Sequence, residues 1–161
     1  MHATSMTAAA HTPARGPFAE TLALLERFPG SLRQLLFRFA VGSVFLKAGL
    51  TKIASWETTV ALFRDEYQVP VFPPEIAATL ATTFELGCSS LLIVGLATRL
   101  ATLPLLGMIA VIQLFVYPSA WSEHLTWASI LLAVLTAGPG AISMDRLLGL
   151  ERRASWTDER G

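Results

Sequence analysis

Four long apolar stretches constrain the fold of this chain more than any other feature. They run from about Leu32 to Ala54, from Ile76 to Ala97, from Leu100 to Tyr117 and from Leu125 to Ile142. Each has 18 to 23 residues. A helix that rises about 1.5 Å per residue needs this length to cross about 30 Å of hydrocarbon. We therefore predict an all-α integral membrane protein built as a four-helix bundle.

The composition agrees with this prediction. Apolar residues make up 53% of the 161 residues without counting glycine, against about 45–50% with glycine in soluble domains. Charged residues reach 15%, and the 12 basic and 12 acidic side chains cancel. A disordered chain and a basic nucleic-acid binder are excluded. Because Cys88 is the single cysteine, a disulfide scaffold is excluded too. The expected partner is the lipid bilayer, with no nucleic acid.

The chain divides into four predicted regions. Residues 1–16 form a flexible tail, residues 17–30 an amphipathic interfacial helix, residues 31–150 the transmembrane domain, and residues 151–161 a second tail. The amphipathic helix is predicted from apolar residues at helical spacing, namely Phe18, Leu22, Leu25 and Phe28. The alternative is a helix that packs on another domain.

The connections and the basic residues predict topology and location. Short links after the second and third stretches favour an up-down-up-down arrangement. Nine arginines then lie on the side of both termini, against Arg64, Lys47 and Lys52 on the other side. The positive-inside rule places both termini in the cytoplasm. We expect a multi-pass protein of the inner (plasma) membrane.

Charged residues inside the predicted helices are the candidate ligand-binding residues, because such charges are costly in a membrane. They are Arg38, Lys47, Lys52 and Glu85. Either Lys47 or Lys52 could pair with Glu85, and Lys52 lies on the same helix face as Arg38. The functional interpretation is a proton or ligand site, with Glu85 and Lys52 as candidate catalytic residues. The alternative is an ion pair that fixes the helix register.

His124, at the start of the fourth stretch, is a third catalytic candidate, because an imidazole can carry protons near neutral pH. No second histidine lies near it in the sequence, so no metal site is expected. Cys88 reads as a small side chain packed among apolar neighbours. No phosphate-binding loop or dinucleotide fingerprint occurs.

The sequence resembles the DoxX family of small membrane proteins over about residues 32–150. The resembling motifs are Arg38-x-x-x-Gly42-x-x-Phe45-x-x-x-Gly49-x-x-Lys52, Glu85-x-Gly87, Gly95-Leu96-x-Thr98-Arg99 and Gly138-Pro139-Gly140-x-x-Ser143-x-Asp145. The charged motif residues are Arg38, Lys52, Glu85, Arg99 and Asp145. The glycines, with Arg99 and Asp145, are expected to be structural.

The resemblance implies an inner-membrane four-helix bundle. The related DoxD proteins are subunits of a thiosulfate:quinone oxidoreductase, and other members scaffold oxidative-stress enzymes. We therefore expect the membrane subunit of a quinone-coupled redox complex, with a soluble or membrane redox partner and with homo-oligomers as a further expectation. No intrinsic cofactor is expected, and quinone is the candidate ligand. The alternatives are a non-catalytic membrane anchor that recruits soluble enzymes and, less favoured, a small transporter.

Overall fold

The computed structural model describes residues 28–150. Helix makes up 82% of this part, and it contains no strand. The predicted tails 1–16 and 151–161 lie outside the described residues, as does nearly all of the predicted interfacial helix 17–30.

Six α-helices follow one another along the described chain. They are α1 (Gly30–Ala54), α2 (Trp56–Leu62), α3 (Pro74–Val94), α4 (Thr98–Val111), α5 (Trp121–Ala137) and α6 (Met144–Leu147). Two π-helical turns, Phe63–Tyr67 and Ile112–Val116, continue α2 and α4. A short 3-10 turn, Pro118–Ala120, leads into α5.

The four long helices α1, α3, α4 and α5 share one hydrophobic core. Helix α1 contacts α3 and α5, and α4 contacts the same two helices. Each long helix contributes buried apolar side chains to the core, namely Val41, Phe45, Leu92, Leu105, Ile109, Leu131 and Val134. Cys88 is partly buried against this core. The face of α1 that carries Val41 and Phe45 thus lies inward, as does the face of α3 that carries Leu92.

Two helical segments are long and apolar enough to cross a membrane. They are Pro74–Val94 and Thr98–Val116, and only 33% and 22% of their apolar windows are buried inside the protein. Most of their apolar surface therefore faces outward, as expected of helices that contact lipid. The other two long helices are not among these segments. Helix α1 carries four basic residues, and α5 has only 17 residues.

The structure corrects two predicted boundaries and finds helix in the first connection. The fourth stretch was expected to reach Ile142, but α5 ends at Ala137 because Gly138 adopts a φ of 81°. The second stretch was expected to reach Ala97, but α3 ends before Gly95, whose φ is 78°. The long first connection also contains α2 and a π-helical turn, where the sequence suggested only a loop near the membrane surface.

Candidate functional site

An ion pair joins α1 to α3 and answers the question of which lysine meets Glu85. Lys52 Nζ lies 2.7 Å from Glu85 Oε1 and 2.8 Å from Oε2, so the ammonium donates to both carboxylate oxygens. The Glu85 side chain is 4% exposed and that of Lys52 is 19% exposed. Lys47 lies on an exposed face of α1. The pair is therefore buried mainly on its acidic side.

Close packing of the two helices brings this pair together. At Gly49, an added Cβ would lie 2.8 Å from Leu86 Cδ2 and 3.0 Å from Glu85 Cβ. A larger residue at position 49 would push α3 away and lengthen the contact between Lys52 and Glu85. Gly42 makes a similar close approach to Ile93, one helix repeat earlier.

A cavity of about 650 Å³ adjoins the ion pair. Its walls come from the side chain of Lys52, from α3, from α4 with its π-helical turn, and from the segment between α2 and α3. We call it the α3–α4 cavity. The lining is mostly apolar, with few polar side chains, among them Lys52, Glu85, Tyr67 and Tyr117. A mostly apolar wall with a few polar groups is typical of small-molecule sites of about 300–1,000 Å³.

Two tyrosines, Tyr67 and Tyr117, line the α3–α4 cavity and contact each other. Tyr67 and Tyr117 make an edge-to-face contact with ring centroids 5.8 Å apart. The Tyr117 hydroxyl donates a hydrogen bond to Glu66, which raises the pKa of Tyr117 above its usual range. The segment that follows Tyr67 lines the cavity and contains Val71, whose φ of 84° is rare for a β-branched residue. The segment that lines this part of the cavity is thus strained at Val71.

Lys52 also lines a second, smaller depression of about 430 Å³ on the other side of α1. Lys47 lies here rather than in the α3–α4 cavity, together with hydroxyl side chains of Thr51, Ser55 and Thr58. Lys52 therefore stands between an apolar cavity and a more polar depression. Of the two lysines predicted as ligand-binding residues, Lys52 lines both the α3–α4 cavity and the depression, whereas Lys47 lines only the depression.

Arg38 lies at the opposite end of the long helices and is fully buried. Its guanidinium donates hydrogen bonds to the carbonyls of Leu92 and Ile93, both at 3.2 Å, and to the carbonyl of Ile142. Arg38 thus holds the end of α3 and the segment after α5 to α1. It neither lines the α3–α4 cavity nor contacts Glu85.

Asp145 completes this network. Its carboxylate accepts hydrogen bonds from the backbone N–H groups of Ala97, at 2.6 Å, and Thr98, at 2.9 Å. Its own N–H donates to the carbonyl of Gly95. At Gly95 the φ is +78°, and an added Cβ would run into the Arg38 guanidinium. Asp145 therefore caps the start of α4 in the way that anions stabilise helix N-termini.

The remaining motif residues are spread around the helices. Arg99 donates to the Leu135 carbonyl at 2.9 Å, which links α4 to α5. Gly138 and Gly140 both have a φ of 81° in the turn after α5. Gly87 faces outward, and an added Cβ there would meet no atom within 4 Å.

His124 is buried away from the ion pair. Its Nδ1 lies 2.7 Å from Gln113 Oε1, and its ring lies 5.7 Å from that of Trp127. It does not line the α3–α4 cavity. Residues 28–150 contain no cluster of three or more metal-ligating side chains. The three catalytic candidates therefore split into a pair at the cavity and an isolated histidine.

The sequence reasoning missed the cavity itself. From the sequence, no site role was assigned to Tyr67, Pro104, Gly107 or Tyr117, although all four line the cavity. A proline inside an apolar helix pattern, three residues before a glycine, was the available signal. Such positions often mark irregular or closely approached backbone.

Comparisons with known proteins agree with the residue pattern. The family model described as DoxX matches residues 34–118, which include most of α1, all of α2, α3 and α4, and the ion pair between Lys52 and Glu85. The matched range covers 85 of the 161 residues. The search of curated proteins returned no match, and neither did that of solved structures.

Proposed function

Because the chain belongs to the DoxX family of membrane proteins, we propose that it is the membrane subunit of a quinone-coupled redox complex. We further propose that the quinone headgroup binds in the α3–α4 cavity. The observation that carries this proposal is a largely apolar cavity of about 650 Å³ with the pair of Lys52 and Glu85 in its wall. An apolar ring with polar carbonyl oxygens matches that lining.

The membrane placement is part of the proposal. Helices α1, α3, α4 and α5 cross the inner membrane as an up-down-up-down bundle, with both termini in the cytoplasm. Support comes from the core that all four helices share, from the outward apolar surface of α3 and α4, and from the arginines on the side of the termini. The end of α1 that holds Lys52 then faces away from the cytoplasm.

The chemistry at the ion pair follows from its donors and acceptors. An ammonium has three N–H donors, and the two contacts with Glu85 leave one for a ligand carbonyl. Quinone takes up two electrons and two protons to become quinol. The Lys52 ammonium carries the proton of the pair, so it can give one proton to the quinone, directly or by way of Glu85, and be reprotonated through its partly exposed side. The second proton follows by the same route. The electrons come from a redox centre on a partner subunit.

The test is the quinone content of the gently purified protein. We expect quinone in the wild type and its loss in Lys52→Met and Glu85→Gln. Lys47→Met is the matched control, because Lys47 lies on the same helix but does not line the α3–α4 cavity. It should retain the quinone.

Two results would contradict the proposal. One is a wild type that neither contains quinone nor takes it up in vesicles. The other is equal quinone content in all four proteins. The first would favour the second functional class, a membrane anchor that recruits a soluble enzyme, for which the direct assay is co-purification of that enzyme. The second would place the quinone away from the pair of Lys52 and Glu85.

A further inference from the structure

The α3–α4 cavity has a wall that is also part of the outer surface. Phe84 on α3 and Val111 on α4 line the cavity, yet each is 37% exposed. Phe115, one turn further along α4, also lines it and is 55% exposed. A side chain that both lines a cavity and is exposed marks an edge of that cavity. These edges belong to the two helices that are long and apolar enough to cross a membrane.

Gly107 lies in this edge, between Pro104 and Val111 on α4. It lines the cavity and is exposed, and an added Cβ would meet no atom within 4 Å. A side chain at position 107 would therefore extend into open space at this edge of the cavity. Pro104, which also lines the cavity, has no N–H to donate to the preceding turn of the helix.

Tyr67, Tyr117 and residues 69–72 also line the cavity, but they lie outside the two long apolar helices. Tyr67 contacts Tyr117, whose hydroxyl is hydrogen-bonded to Glu66, while Val71 is 89% exposed and Phe72 is 48% exposed. A water-soluble molecule would have to enter on this side. An amphiphile dissolved in the bilayer would only have to slide between α3 and α4. The open edge therefore suits a ligand with a polar head and a long apolar tail.

We propose that the α3–α4 cavity opens sideways into the hydrocarbon layer, and that Gly107 keeps this opening clear. The ligand then reaches Glu85 from the lipid phase, and its tail leaves the protein past Gly107. Gly107 is accordingly a residue that determines which ligands are admitted, since any side chain there narrows the passage. This inference rests on the proposed membrane position and cavity, but its test does not require that the ligand be a quinone.

The test uses the reaction of Glu85 with carbodiimides. Dicyclohexylcarbodiimide dissolves in lipid and adds to a protonated carboxyl, giving an O-acylisourea. Attack by the Lys52 amine releases dicyclohexylurea and leaves an amide between the two side chains, with a mass one water lower. In vesicles, mass spectrometry follows this product over time. Glu85→Gln identifies the site, and a water-soluble carbodiimide serves as the aqueous probe.

Gly87 provides the matched control. Like Gly107, it is an exposed glycine inside a long helix with no atom near an added Cβ, but it does not line the cavity. We expect Gly107→Leu to slow the reaction of the lipid-soluble reagent by about tenfold or more, and Gly87→Leu to leave the rate within about twofold of the wild type. Gly107→Ala should give an intermediate rate and guards against a leucine variant that fails to fold.

Other results would overturn the lateral opening. They are an unchanged rate in Gly107→Leu, an equal slowing in Gly87→Leu, and faster modification of the wild type by the water-soluble reagent. Failure of the proposed function looks different. The wild type could contain no quinone while its Glu85 still reacts with the lipid-soluble reagent at a rate that depends on Gly107. This result would support the lateral opening and contradict the proposed quinone site.

Discussion

The ion pair between Lys52 and Glu85 provides the sharpest test of what this region does, because its two partners are unequally buried. The perturbation is a double-mutant cycle made of Lys52→Met, Glu85→Met and the double variant, with Glu85→Gln as a milder change. Methionine is chosen because it approximates the length of both side chains without their charge. The assay is the free energy of unfolding, from denaturant titration in mixed micelles.

The structure sets the order of the effects. Removing one partner of a buried ion pair typically costs about 3–5 kcal/mol, because a charge is left without compensation. Lys52→Met leaves the Glu85 carboxylate, whose side chain is 4% exposed, without a partner. With a discount for the partial exposure of Lys52, we expect a loss of about 2–4 kcal/mol. Glu85→Gln should cost less, about 1–2 kcal/mol, because Lys52 can extend toward water.

The double variant separates structure from function. Replacing a buried ion pair by apolar residues of similar volume is often neutral or stabilising by about 1–4 kcal/mol. We therefore expect the variant with methionine at both positions to regain wild-type stability within about 1 kcal/mol or to exceed it. If the pair serves ligand binding, quinone binding stays lost although the fold is restored. A double variant that regains both properties would make the pair a register device only.

An exposed ion pair that joins α3 to the π-helical turn after α2 provides the control. Arg64 and Glu75 also form an ion pair with a 2.8 Å contact, but their side chains are 56% and 58% exposed. Glu75→Gln should leave the unfolding free energy nearly unchanged, because water and salt screen an ion pair between exposed side chains. If Lys52→Met costs no more than this control, the reasoning from burial is wrong.

Three further predictions concern the end that holds Arg38. Arg38→Lys should cost about 2–4 kcal/mol of unfolding free energy, because one ammonium cannot reach three carbonyls on two separate segments; a cost below 1 kcal/mol would contradict this. Asp145→Asn should cost about 1–3 kcal/mol, since the amide keeps one acceptor for two backbone N–H groups, and hydrogen exchange should rise at the start of α4. Gly42→Ala places a Cβ 2.7 Å from Ile93 Cγ1 and should lower thermal stability by about 1–3 kcal/mol, whereas Gly87→Ala should not lower it.

Hydropathy and helical periodicity were enough to predict the long helices and the inward face of α1. The apolar runs marked α1, α3, α4 and α5 to within a few residues at most ends. The 3.6-residue repeat placed Arg38, Gly49 and Lys52 on one face, and the structure turns that face toward α3. Lys47 lies nearly opposite on the helix. Which of the two lysines meets Glu85 therefore depends only on how α1 is rotated about its own axis.

Other features depend on backbone geometry, which hydropathy does not register. Residues 138–142 contain little that is polar, yet Gly138 at positive φ ends α5 before them. The contact between Arg38 and Ile142 joins residues 104 positions apart, and no local pattern encodes such a distance. The cavity is equally nonlocal, because its walls come from three helices and one connection whose relative positions follow from packing.

The two ends of the long helices differ in a way that bears on function. At one end, Arg38 and Asp145 form hydrogen bonds with backbone groups of the same chain. This network holds the helix ends in fixed relative positions. At the other end, Lys52 has one N–H donor that does not contact Glu85. It lines both the α3–α4 cavity and the smaller depression, and it lies near the strained segment that contains Val71. Backbone strain and polar groups without a partner in the protein are typical of sites that bind and release a ligand. The rigid end therefore fixes the helices in register, and this register keeps Glu85 within reach of Lys52 while the cavity beside them stays open.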